Sequence, residues 1–353
     1  MSDLMILTGG GTAGHVMPHL AILTELRKAG FEPHYIGSGG IESELARKAQ
    51  IPFHQIATGK LRRYVSVDNF WDIFKIIWGT AQSLILLLRL RPKIVFSKGG
   101  FVAVPVTVAA WILGIPVVTH ESDYSPGLAN KIIAPFSRKI LYTFPETGAL
   151  LSTTKAQHVG TPVRPELFAG DASIGKKLCG FTRDLPIILV MGGSQGAQRI
   201  NDALAQILPE LLMTFDVVHL TGKGKSVSAD KAGYRSFEFL GNELKDVFAA
   251  ASLVVSRAGA NSIFELLALR KPMLLIPLEI GSRGDQVLNA RSFSAHGWAR
   301  TLGESELTSD RLLTAIKETW QSASAIKASQ QGVDIQDVPR KIVETLHRVS
   351  QMG

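Results

Sequence analysis

Hydrophobic positions recur in short blocks, each followed by a glycine-bearing loop and then a stretch with the period of a helix. Residues 4–8, 32–36, 53–56, 94–96, 116–119 and 139–141 read as strands, and the segments between them as helices. The rhythm restarts at 187–191 and continues through 217–220, 253–255, 273–276 and 299–301. Strands alternating with helices predict βαβ units and parallel sheets. Both halves open alike, with an apolar run ending in glycines and feeding a helix: Met5-Ile-Leu-Thr-Gly-Gly-Gly11 and Ile188-Leu-Val-Met-Gly-Gly-Ser194. The expected fold class is therefore α/β, with two doubly wound, Rossmann-like domains in tandem. Residues 1–160 form the first and 172–335 the second. Residues 161–171 form the linker, where Pro162 and Pro165 break regular structure. A last helix pattern within 336–353 fits against either domain, the N-terminal one included.

One helical segment departs from the simple core pattern. Residues 60–98 hold eight basic and two acidic side chains, interleaved with Phe70, Trp71, Phe74, Trp78 and the apolar run 84–88. Positions 70, 73, 74, 77, 81, 84, 85 and 88 form one stripe, predicted to be core. Trp71 and Trp78 fall on a second face. A helix apolar on more than one face, flanked by Lys60, Arg62, Arg63, Arg89, Arg91 and Lys93, suits an anionic membrane surface. It equally suits a deeply buried helix with a solvated basic rim. Nucleic acid is not expected as a partner, because no recognition module for it is present. The uncharged stretch 99–119 is long enough to suggest a membrane span, but Pro105, Gly114 and Pro116 interrupt it. It reads as loop, buried helix, turn and buried strand. With no secretory leader pattern after Met1, a soluble or peripheral cytoplasmic protein is expected.

Composition narrows the class. The chain has 353 residues, 46% hydrophobic and 19% charged, normal for a folded protein and too apolar for a disordered one. A single cysteine, Cys179, excludes an internal disulfide framework and a cysteine-based zinc site. The net charge of +8 is concentrated in the first half, which points to an anionic partner there.

The loops carry the candidate chemistry. Gly9-x-Gly11-x-x-Gly14 follows a strand and opens a helix, so its backbone can approach a phosphate. A dinucleotide site also needs an acid at the end of the second strand. That strand ends Tyr35-Ile36-Gly37-Ser38-Gly39, without one, which argues against NAD. His15, a polar ring at a glycine-lined strand end, suits catalysis or ligand binding better than a core. The second loop places Ser194, Gln195 and backbone N–H groups at a helix start, an anion site by geometry. In the segment 256–265, Gly259 and Ala260 allow close backbone approach, Asn261 or Ser262 fits as a helix cap, and Glu265 falls one turn inside. Asp285 and Gln286 suit either sugar hydroxyls or a solvated first turn. Thr119-His-Glu-Ser-Asp123 closes an apolar strand with polar residues, either a ligand-facing strand end or a surface loop.

Taken together, these motifs resemble the MurG family of bacterial cell-wall glycosyltransferases. The resemblance runs in order through residues 9–18, 97–105, His120-Glu121 with 127–131, 160–164, 192–201, 257–265 and 285–289. It implies a GT-B architecture, two Rossmann-like domains facing across a cleft. It also implies transfer of N-acetylglucosamine from UDP-GlcNAc to lipid I, forming the β-1,4 disaccharide of lipid II at the cytoplasmic face of the cell membrane. By the same resemblance the donor lies on the second domain. Phe239 and Leu240 would meet uracil, Glu265 the ribose, and Ser194, Gln195 and Arg164 the diphosphate. Ala260, Ser262, Asp285 and Gln286 would meet phosphate or sugar, with Thr12, Gly14 and Asp123 reaching the donor from the first domain. Gly10, Gly11, Thr12, Gly14 and His15 would face the acceptor diphosphate.

The expected mechanism is a single inverting displacement, with no cofactor and no metal, since no His/Asp/Glu cluster has ligand spacing. His15 leads as general base, with His120, Glu121 and Asp123 as rivals. Two other readings share the architecture: a non-hydrolysing UDP-GlcNAc 2-epimerase, and a GT-B transferase with another lipid acceptor. A non-catalytic UDP-sugar binder is the third.

Overall fold

The computed structural model describes residues 3–11, 13–59, 67–151, 153–193, 196–225, 231–280 and 284–352, with side chains 13 and 67–73 outside the description. The chain divides into two compact units, Met1–Arg164 with Ile335–Gly353, and Pro165–Asp334.

Unit 1 is a seven-stranded parallel sheet: β1 (Asp3–Thr8), β2 (Phe31–Gly37), β3 (Phe53–Gln55), β4 (Ile94–Ser97), β5 (Val117–Glu121), β6 (Lys139–Tyr142) and β7 (Ala156–His158). The spatial order β3-β2-β1-β4-β5-β6-β7 reverses between β1 and β4. At such a switch point the connections leave in opposite directions and open a crevice beyond the strand ends. Its core joins Ile6, Ile36, Val95 and Val117 of the sheet to Leu87, Val106, Ala109 and Ala110 of two helices, Val67–Leu90 and Ala103–Ile112. Each such side chain taken from water contributes about 1.5–3 kcal/mol, which is why the strands read as unbroken apolar runs.

The C-terminal helix, Val338–Ser350, belongs to unit 1. It buries Ile342, Val343, Leu346 and Val349, sets His347 edge-on against Phe31, and reaches Gln157 through Thr345 Oγ1 at 3.4 Å.

Unit 2 repeats the plan with six parallel strands: β8 (Ile187–Met191), β9 (Asp216–Leu220), β10 (Tyr234–Phe237), β11 (Ala251–Ser256), β12 (Met273–Leu275) and β13 (Arg300–Thr301). Their order is β10-β9-β8-β11-β12-β13, with the switch between β8 and β11. The first helix of the unit, Ala172–Leu178, is capped by Asp171, whose carboxylate accepts from Ser173 N–H at 2.7 Å and Ile174 N–H at 3.3 Å. Helix Gln198–Leu211 buries Ile200, Leu204, Ile207, Leu208 and Leu211 at helical spacing against β8 and β9.

The helix Val67–Leu90 corrects an expectation. Of the stripe read as core, Phe74, Ile77, Ile85 and Leu88 are exposed and positions 81 and 84 only half-buried; positions 70 and 73 lie outside the described side chains. The face packed inward is Gly79, Ser83 and Leu87. A Cβ on Gly79 would stand 2.1 Å from the Ala57 carbonyl oxygen, so glycine is what lets the helix lie this close. Gln82 Oε1 accepts from Ala57 N–H at 2.7 Å on the same side. Stretch 99–119 is a loop, the helix Ala103–Ile112, a turn and β5. Among the described residues no helix is long and apolar enough to cross a membrane.

Candidate functional site

In unit 1 the glycine loop after β1 is held from two sides. The Tyr35 hydroxyl, buried in β2, donates to the Gly9 carbonyl. Glu42, in the first turn of helix Ile41–Lys48, turns back under the loop: its carboxylate accepts from Gly11 N–H at 2.6 Å and Ser38 N–H at 2.7 Å. Burial, then the Glu42 carboxylate, push the Tyr35 hydroxyl well above its usual pKa. The acid that β2 lacks at its end thus arrives five residues later and grips the loop from within. Gly11 N–H is thus bonded within the protein. Gly10 is required sterically, because a Cβ there would overlap Glu42 and Val102.

Beneath this loop runs a second one. Gly99 and Gly100 follow β4 with φ of +78° and +79°, and a Cβ on Gly100 would stand 2.5 Å from the Gly10 carbonyl oxygen. Lys98, 3% exposed, donates from Nζ to His120 Nδ1 and, at 2.7 Å, to Ser122 Oγ. His120 Nε2 donates to the Gly160 carbonyl at 2.8 Å. A carbonyl only accepts, so the ring carries its proton on Nε2 and offers Nδ1 to the lysine. Burial pushes Lys98 down to about 7, against the pull of Glu121 and Asp123. Burial, then the nearby Lys98, hold His120 well below 6.5.

His120 and Glu121 complete β5 rather than an open loop, and this corrects their reading as rival bases. His120 has no exposed surface and both ring nitrogens are bonded. The Glu121 carboxylate accepts from Asp123 N–H (3.0 Å), Gly127 N–H (2.9 Å) and Asn130 Nδ2 (2.8 Å), which shapes the following loop. Asp123 is half-buried on that loop, and His15 is half-buried in the first turn of helix Ala13–Ala21. Gly14 is exposed; Thr12 lies outside the described residues. One turn beyond His15, His19 is buried edge-on against Tyr35 and Phe96 and is held well below 6.5, mainly by burial.

In unit 2, Ser194 and Gln195 lie outside the described residues, and the glycines on either side of them are described. Gly193 and Gly196 have φ of +82° and +68°, and a Cβ on Gly196 would stand 2.0 Å from the Thr221 carbonyl oxygen. Behind it a buried chain links Tyr234, His219, Asn201 and Thr221: His219 Nδ1 meets Tyr234 Oη at 2.9 Å and Nε2 donates to Asn201 Oδ1 at 3.0 Å. Burial lowers His219 to about 4.

After β11, helix Ala260–Ala268 starts at Ala260, so Asn261 and Ser262 lie inside its first turn and neither is the cap. Gly259 takes φ −69° and has open space beside it. Glu265 is half-buried one turn further in. Asp285 opens helix Asp285–Ala295 and is 7% exposed, not part of a solvated turn. Gln286 Oε1 accepts from Leu278 N–H (3.0 Å) and Ala258 N–H (3.3 Å), bringing the loops after β11 and β12 together. Arg257 pins them from below, with Glu304 and the Ile276 carbonyl as partners. Phe239, 72% exposed, and buried Leu240 follow β10. Arg164 is half-buried at the end of the first segment of unit 1.

Residues 5–142 match the glycosyltransferase family 28 N-terminal domain, and 187–343 match its C-terminal domain. Relatives annotated by name as UDP-N-acetylglucosamine–N-acetylmuramyl-(pentapeptide) pyrophosphoryl-undecaprenol N-acetylglucosamine transferase cover nearly the full length. The one from Geobacillus thermodenitrificans is 50% identical over 94% of both chains, and that from Lachnospira eligens 49% identical over 97% and 98%. The chain belongs to the MurG family, within glycosyltransferase family 28.

Solved structures show the fold that this family member shares. MurG of Acinetobacter baumannii superposes with a TM-score of 0.75, at 22% identity over 99% and 100% of the two chains. A UDP-GlcNAc 2-epimerase from Neisseria meningitidis gives 0.69 at 13% identity over 99% and 100%. The fold class is GT-B, and the chain is a hexosyltransferase of this family. Sequence reasoning missed Glu42, Lys98 and His19. Lys98 stood inside a quoted motif without a role, and the acid sought at the end of β2 pointed to Glu42 five residues too early.

Proposed function

We propose that the chain transfers N-acetylglucosamine from UDP-GlcNAc to the 4-hydroxyl of the muramyl sugar of lipid I, giving lipid II with inversion at the anomeric carbon. The observation that carries this reading is 47–50% identity over nearly the whole length to relatives named for that transferase. His15 is the general base, taking the acceptor proton as the oxygen attacks the sugar from the face opposite UDP. The glycine loop shaped by Glu42 and the helix start at Gly14 seat the acceptor diphosphate. In unit 2, Phe239 and Leu240 hold uracil, Glu265 the ribose, and Ala260, Ser262, Asp285 and Gln286 the phosphate and sugar. Ser194, Gln195 and Arg164 offset the charge on the departing diphosphate.

The enzyme works as a peripheral protein on the cytoplasmic face of the membrane. Trp78, 62% exposed, stands with Phe74, Ile77, Ile85 and Leu88 on one helix, and Trp111 and Ile112 lie exposed on the helix packed against it. Lys75, Arg89, Arg91 and Lys93 are exposed around them. An apolar face with a basic rim fits anionic lipid, which carries the acceptor. Trp71, Arg62 and Arg63, assigned to the same surface, lie outside the described side chains.

Incubation with radiolabelled UDP-GlcNAc and lipid I tests the reading. Lipid-extractable label is expected, and His15→Ala lowers turnover at saturating substrates by at least about 100-fold. Released 2-epimer, bound but unreacted donor, or transfer to another lipid in preference to lipid I overturns it.

A further inference from the structure

Lys98 links several of the loops of unit 1. It stands at the carboxyl end of β4, and a Cβ on Gly9 would lie 3.2 Å from Lys98 Cβ, so its stem floors the first glycine loop. Its head donates to His120 Nδ1 and Ser122 Oγ. Through His120 it reaches the Gly160 carbonyl, the first residue of the segment that ends in Arg164. Gly160 takes φ +87° against Val338 of the C-terminal helix, a conformation that sets the direction of that carbonyl. Through Ser122 it reaches Asp123, whose N–H is held from the other side by Glu121. The charged and titratable groups facing it are His19 from helix Ala13–Ala21 and His120, Glu121 and Asp123 from β5 and its loop, with His158 of β7 behind His120.

We propose that Lys98 is a positioning residue for the loops at the strand ends of unit 1, acting through His120 on Gly160–Arg164 and through Ser122 on Asp123. A lone buried ammonium is costly, and removing it leaves His120 Nδ1 and Ser122 Oγ without their donor inside the unit. With that donor gone, the Gly160 carbonyl still keeps the ring proton on Nε2, but Nδ1 is left buried without a partner and the ring loses one of its two anchors. Lys98 does not touch the reacting atoms. Its loss therefore lowers turnover more than it weakens the hold on uridine, which unit 2 carries.

Imidazole 15N spectra of the full chain, with the His120 signal assigned from a His120→Gln variant, test this directly. The wild-type ring is expected as the neutral Nε2–H tautomer at pH 7 with Nδ1 hydrogen-bonded, and in Lys98→Met as the same tautomer with its Nδ1 resonance shifted downfield by the loss of that bond. A wild-type ring protonated on Nδ1, or an Nδ1 resonance unchanged in Lys98→Met, overturns the proposal. The kinetic part rests on the transferase reading: Lys98→Met is expected to lose about tenfold or more in kcat, with the KM for UDP-GlcNAc and the affinity for UDP within about threefold. Equal loss in kcat and in UDP affinity marks general structural damage and overturns the positioning role. Wild-type protein that makes no lipid II sinks the transferase reading alone, because the spectra still decide the tautomer.

Discussion

Single residues carry the strongest departures from what the motifs imply. Glycine loops suggest free amides awaiting a phosphate, yet Gly11 N–H is answered by Glu42, a carboxylate of the protein itself. The loop is thereby fixed before any ligand arrives, a form of preorganisation. In Glu42→Gln one of the two accepting oxygens becomes an NH2 group facing an N–H. The expected cost is about 1–3 kcal/mol of stability, with acceptor turnover falling and UDP binding unchanged; denaturant midpoints and UDP calorimetry check both parts. In unit 2, His219 is the pH-sensitive position. Its folded pKa is lowered from 6.5 to about 4, so the unfolded chain binds the proton first as pH falls. The stability from keeping this ring neutral is present above pH 6.5 and is lost as the pH drops toward 4. Urea melts are expected to show that slope in wild type, and less of it in His219→Gln. Neither Glu42 nor His219 was legible as a functional position, because each acts through a backbone or buried partner far away in sequence.

At the level of elements, apolar runs with flanking glycines marked the main strands, since a strand buried on both faces must be apolar throughout. The strands that escaped, β7 and β10, are short, polar edge strands: Ala-Gln-His and Tyr-Arg-Ser-Phe. The helix Val67–Leu90 inverted the rule instead. Gly79, Ser83 and Leu87 face the protein while Phe74, Ile77, Trp78, Ile85 and Leu88 face out, because Gly79 permits backbone contact with Ala57 where a larger residue would clash. Apolar periodicity alone finds the greasy face but does not say what covers it. Replacing both Ile77 and Trp78 with serine is expected to leave the thermal midpoint nearly unchanged, since both are mostly exposed. The same pair is expected to weaken binding to anionic vesicles about tenfold or more, measured by cosedimentation. Unaltered vesicle binding would rule this face out as the lipid contact. Gly79→Ala should do the opposite, lowering stability with the outer face intact.

On the scale of the whole chain, the repeat of strand-glycine-helix made both doubly wound units readable, down to the glycine loops at each switch point. The ownership of the last helix was not readable, because its apolar stripe matches either unit. Ile342, Val343, Leu346 and Val349 are buried in unit 1 and contribute roughly 1.5–3 kcal/mol each, enough to matter against a typical domain stability of about 5–15 kcal/mol. Ending the chain at Asp334 is therefore expected to make unit 1 labile to protease while leaving unit 2 resistant, as read from the fragments. This arrangement has a consequence for biosynthesis. Most of unit 1 precedes unit 2 in the chain, but its closing helix follows the whole of Pro165–Asp334. At ~5–20 residues per second, the nascent half waits roughly 10–30 s with the seat of that helix uncovered. During that interval unit 2 is still being made while unit 1 lacks its closing helix, so chaperone demand falls on the exposed seat of that helix.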